Sequence, residues 1–174
     1  MSESFELDPV DWITAGAVGQ PGSREFYVQA QKDEGTVALL VEKQQVRQLA
    51  QVAQELLERV DVTVTPDHLD TRSQQLREPI APAWRAGRLA LGMDEDGTRF
   101  LLEAEELVED DEAEPATAKL WMSGEQLTAM AAHAAWSVEA GARETCKLCN
   151  RPIDPQGHLC PAMNGHGPLV ESSL

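Results

Sequence analysis

The chain has 174 residues, 42% of them hydrophobic, and sets 14 Lys and Arg against 30 Asp and Glu, for a formal net charge of −16. That length suits one ordinary domain with a small appendage. So acidic a chain repels phosphate backbones, which argues against nucleic acid as a partner, and no apolar run approaches the roughly 18 residues of a membrane span.

The N-terminus, Met1 to Asp8, is acidic and lacks the basic and apolar stretches of a signal peptide, so a cytoplasmic protein is expected. The first strand signals are Trp12–Val18, Glu25–Ala30 and Thr36–Glu42. Turns fall between them at Gly19-Gln20-Pro21-Gly22 and Lys32-Asp33-Glu34-Gly35. A helix is predicted from Lys43, because Val46, Leu49, Ala53, Leu56, Leu57 and Val60 recur at spacings of three and four and so form one buried stripe. Residues 63–83 read as a connector, with Pro66, Pro79 and Pro82 among polar residues. Its His68 lies beside Asp67 and Asp70 and reads as a surface histidine.

The second set of strands is predicted at Gly87–Gly92, Arg99–Leu107 and Ala118–Met122. Eight acidic residues between Glu103 and Glu114, with no basic one, favour a solvated loop before the last of these strands. Ser123 followed by Gln126 is a capping box, so a second helix is predicted from there, with the stripe Leu127, Met130, Ala131, Ala134 and Val138. Trp12, Trp84 and Trp121 are expected to anchor the core and His133 to lie at a packed boundary. Trp136 falls off the stripe and is the candidate for an exposed aromatic contact.

Each half is thus three strands and a helix, and the halves resemble one another. Residues 37–53 lie over 118–134 without a gap: Leu39 meets Leu120, Gln45 meets Gln126, Ala50 meets Ala131 and Ala53 meets Ala134. Ala17-Val18-Gly19 matches Ala90-Leu91-Gly92, and Gly22-Ser23-Arg24 matches Gly97-Thr98-Arg99, in the same order. The expected architecture is α+β, with internally duplicated strand-strand-strand-helix units packed as one domain over residues 1–140. The halves span about 11–62 and 84–140.

Residues 141–174 form a tail holding all three cysteines, Cys146, Cys149 and Cys160, with His158 and His166. A Cys-x-x-Cys turn brings two thiolates to one ion, and His158 and Cys160, two apart, face one side of an extended segment. Cys146, Cys149, His158 and Cys160 therefore make the expected tetrahedral site of a zinc knuckle, with His166 the alternative fourth ligand. Four protein ligands close the site, so the Zn2+ would be structural. Arg143, Lys147 and Arg151 balance Glu144, Asp154 and Glu171, so the charge excess belongs to residues 1–140. The rival use of Cys-x-x-Cys, thiol exchange, normally opens a helix, whereas here Pro152, Pro155 and Gly157 follow.

The Gly157-His158-Leu159-Cys160-Pro161 run and Asn164-Gly165, with Asp11-Trp12-Ile13 and Gly97-Thr98-Arg99-Phe100 in the body, resemble an uncharacterised actinobacterial family. Its domain is of unknown function, and the resemblance implies no activity. No phosphate loop, nucleophile elbow or metalloprotease motif occurs, so no reaction can be named. The expected function is a protein-binding or adaptor module whose partner is another protein. The alternative is an enzyme or small-ligand binder with a site between the halves, near Arg24 and Arg99. A third reading, nucleic-acid binding through the tail, is opposed by the charge of the body.

Overall fold

The computed structural model describes residues 1–60, 73–110, 113–140, 146–148 and 160. Among the described residues, seven strands and two helices follow in chain order: β1 (Phe5–Leu7), β2 (Trp12–Val18), β3 (Glu25–Lys32), β4 (Gly35–Val41), α1 (Lys43–Arg59), β5 (Pro82–Met93), β6 (Arg99–Glu106), β7 (Thr117–Ser123) and α2 (Gly124–Ala140). The chain is α+β, and three strands followed by a helix occur twice. Among the described residues, no helix is long and apolar enough to cross a membrane.

The strands form one mixed sheet in the order β1-β7-β6-β5-β4-β3-β2. Pairs within each run of three are antiparallel, while β4 meets β5 and β7 meets β1 in parallel. β1, at one end of the sheet, and β2, at the other, are consecutive in the chain. The link between them is stitched on both sides: Val10 N–H donates to Trp121 O at 2.8 Å, and Asp11 N–H donates to Gln31 O at 2.8 Å. The sheet therefore closes on itself through residues 8–11, which leaves fewer open strand edges for other chains to pair with.

Local chemistry accounts for the hairpins. Asp33, with φ of 53°, and Glu34 close β3 onto β4 in two residues. Gly19 and Gly22, with φ of 107° and 90°, make the wider turn between β2 and β3, a backbone that glycine adopts without a Cβ penalty. Asp94 accepts from Thr98 N–H at 2.8 Å and Arg99 N–H at 3.1 Å and so closes β5 onto β6. These bonds hold its exposed carboxyl below the usual carboxylate range, the Arg99 amide first among them.

The core lies between the sheet and the two helices. Ile13, Val28, Leu39, Phe100, Leu102, Leu120, Leu127 and Met130 are almost wholly buried there. The helices pack on each other, α1 running along β5 and α2 along β2. α1 buries Val46, Leu49, Ala53 and Leu56 as its spacing predicted. β5 begins five residues earlier than the sequence signals implied, because Ala38 to Leu40 of β4 pair with its first residues, and β1 carried no signal of its own. Of the three expected anchors only Trp84 is buried; Trp12 and Trp121 are half-buried under Arg77 and Arg99, 3.9 and 4.7 Å from the ring centres.

The described end of the connector covers β2 and β3. Ser73 O accepts from Trp12 Nε1 at 2.8 Å and Gln74 O from Thr14 Oγ1 at 2.5 Å. The buried amide of Gln29 donates to Arg77 O and accepts from Arg77 N–H, as a neighbouring strand would. The side-chain nitrogen and oxygen of a Gln buried inside a β-strand thus each find a backbone partner.

Candidate metal centre and docking face

Two of the predicted metal ligands lie among the described residues. Cys146 and Cys160 are both buried, with their Sγ atoms 3.8 Å apart. A disulfide needs about 2.05 Å. Two thiolates bound at about 2.3 Å to one tetrahedral zinc stand about 3.8 Å apart by trigonometry. The pair thus has the spacing of two ligands on a single ion, although fourteen residues separate them in sequence. Cys149, His158 and the alternative His166 lie outside the described residues, as does His68.

α2 leads into this tail and differs from α1 in kind. Its seventeen residues hold only two charged side chains, Glu125 and Glu139, whereas α1 carries Lys43, Arg47, Glu55, Glu58 and Arg59. The buried side of α2 is Leu127, Met130, Ala134 and Val138. Its outward side is apolar as well: Ala129 and Ala132 are half-buried, Ala135 is exposed, and Trp136 is 53% exposed. A contiguous exposed apolar strip, unlike a single exposed apolar side chain, marks a surface on which something packs. In the tail, Leu148 is another exposed large apolar side chain, at 65%.

Beneath Trp136 lies a buried polar cluster that sequence reading did not anticipate. The Trp136 ring stacks on His133 with centroids 5.6 Å apart. His133 is buried, its Nδ1 3.0 Å from Ala15 O and 3.3 Å from Thr14 Oγ1. Since the Thr14 hydroxyl already donates to Gln74 O, both neighbours of Nδ1 act as acceptors, and Nδ1 carries the proton. Burial pushes the imidazole pKa below its ordinary 6.5, with the Ala15 bond acting the other way. Gly16 makes room for the ring, since a Cβ there would stand 2.8 Å from His133 Cε1. The chemistry of this cluster is positional: it ties α2, β2 and the connector together.

Arg24 and Arg99 are each engaged separately. Arg24 Nη1 donates to Ser137 O at 2.8 Å, near the C-terminal end of α2 where carbonyls lack helical partners. Arg99 pairs with Asp8 and lies over Trp121.

The described residues fold as one mixed sheet with two packed helices, an α+β architecture. Residues 5–160 match the family described as protein of unknown function, DUF3090, and the chain belongs to that family. The matched span begins at β1 and ends at Cys160. No curated protein and no solved structure matches the chain.

Proposed function

We propose that this protein is a cytoplasmic protein-docking module with a structural zinc, and that its acidic body arose by duplication of a strand-strand-strand-helix unit. Cys146, Cys149, His158 and Cys160 hold the Zn2+ in this reading, with His166 the alternative fourth ligand, and the ion folds a tail too short to bury a core of its own. The observation that carries the docking role is the apolar strip Ala129, Ala132, Ala135 and Trp136 on the outward side of α2, with Trp136 at 53% exposure in a chain of net charge −16. Aromatic residues amid apolar surface are the usual anchors of protein interfaces. Duplication is supported by the repeated element order and by the like roles of Gln45 and Gln126 described below.

Affinity capture from native lysate tests the docking role, comparing the intact chain with Trp136→Ala, Cys149→Ser and a chain ending at Ala140. A specific protein held by the intact chain and lost from Trp136→Ala and the shortened chain is the expected result. Equal retention by all four would remove the reading. The zinc is tested separately: metal analysis should find one equivalent in the intact protein and none in Cys149→Ser, and full zinc in that variant would defeat the assignment.

A second reading, a small-ligand site between the halves, is favoured by one feature, a groove of about 530 Å³ between α1 and α2.

A further inference from the structure

The α1/α2 groove is built from corresponding positions of the two helices. α1 contributes Arg47, Ala50, Gln51, Gln54 and Leu57. α2 contributes Thr128, Ala131, Ala132, Ala135 and Val138, which fall over those same residues when the alignment of 37–53 on 118–134 is continued in register. Ala50 and Leu57 meet the like residues Ala131 and Val138, but Arg47, Gln51 and Gln54 face Thr128, Ala132 and Ala135 at the other three positions. The α1 wall is polar, with Arg47, Gln51 and Gln54 all exposed, and the α2 wall is aliphatic. Ala50, Ala131 and Val138 are buried and form the floor. The result is an amphipathic slot whose volume falls within the range of about 300–1,000 Å³ typical of small-molecule sites.

The geometry points to a single-chain anionic amphiphile as the occupant of this groove, a ligand of the fatty-carboxylate class, and this deepens the small-ligand reading given above. The aliphatic chain lies on the alanines and Val138, which are small enough to leave it room. The anionic head meets Arg47, whose guanidinium is steadied by donating from Nη1 to Gln44 Oε1 at 2.8 Å and keeps its other nitrogens for a ligand. The side-chain amides of Gln51 and Gln54 add neutral donors on the same wall. Glu139 also borders the groove, but none of the ion pairs among the described residues joins it to Arg47. A cationic head would find this one carboxylate and no arginine to avoid only by lying away from the polar wall.

The net charge makes the test decisive, because a chain at −16 attracts cations wherever specific contacts are lacking. Intact protein is titrated calorimetrically with dodecanoate and with dodecyltrimethylammonium, each below its micelle concentration, at about 0.15 M salt. Dodecanoate should bind at least about tenfold more tightly, against the direction of the net charge. Arg47→Gln should erase that preference, and Gln54→Glu, an exposed change that spares the fold, should weaken dodecanoate alone. Ala132→Phe should block binding by filling the slot. Equal or tighter binding of the cation overturns the anionic class, and if Ala132→Phe still blocks it, a groove ligand of another class survives. Dodecanoate binding untouched by every substitution, or no binding of either probe, overturns the groove itself.

Discussion

Gln45 and Gln126 make the same two contacts in different halves of the molecule. Gln45 Oε1 accepts from Glu42 N–H at 2.7 Å at the start of α1, and its Nε2 donates to Ala86 O at 3.2 Å on β5. Gln126 Oε1 accepts from Ser123 N–H at 3.0 Å at the start of α2, and its Nε2 donates to Val10 O at 3.0 Å before β2. Each glutamine caps its own helix and fastens it to the leading strand of the other half. This explains why a glutamine stands immediately before the apolar stripe in both helices.

Replacing either glutamine by alanine removes a cap and an inter-element bond together. Gln126→Ala should destabilise the protein by about 1–2 kcal/mol, read as a lower urea midpoint with unchanged slope. Gln126→Glu keeps the capping oxygen and loses the donor to Val10, so its cost should be smaller than that of alanine. A Gln126→Ala midpoint equal to that of the native chain would show that the bonds to Ser123 and Val10 carry no net stability.

Gly16→Ala should cost about 1–3 kcal/mol, since its Cβ would meet His133 Cε1 at 2.8 Å and neither the strand nor the helix yields freely. In a His133→Ala background the same substitution should cost much less. Strict additivity in that double-mutant cycle would mean the two residues do not contend for the same space.

Stability should depend on pH through His133. Its pKa in the folded protein lies below 6.5, so the unfolded chain takes up the proton first as pH falls. The contribution of this histidine is whole above pH 6.5 and declines below it, toward the folded value. Thermal melts at pH 7.5 and 5.5 should show a larger drop for the native chain than for His133→Asn. An identical drop in both would place the pH sensitivity elsewhere.

Chelation should strip one zinc per chain and unfold the tail, while the far-ultraviolet circular dichroism of the body persists. The core of the body is a continuous apolar cluster from Val10 to Val138 to which neither Cys146 nor Cys160 belongs. Global unfolding on chelation would show that the tail is part of that core.

Much of this fold was legible because its signals are local. Hairpin turns at Gly19–Gly22 and Asp33-Glu34 depend on residues that tolerate tight backbone, and the helix stripes depend on a period near 3.6. Gln126 after Ser123 announced α2 correctly. β1 was silent, since three residues become a strand only through their parallel partner on β7. Trp12 and Trp121 were misjudged because arginines from outside their strands cover them, and His133 gave no hint of Thr14, well over a hundred residues away.

Periodicity and cysteine spacing thus determined the elements, their repeated order and the ligand set to test, because each depends on neighbours a few residues apart. Tertiary structure decided that the sheet closes through residues 8–11 and that α1 and α2 lie side by side with a groove between them. It also decided that Trp136 stays in solvent while His133 is buried beneath it. Those outcomes depend on which distant surfaces meet, and burial is a property of the meeting and not of either strip of sequence.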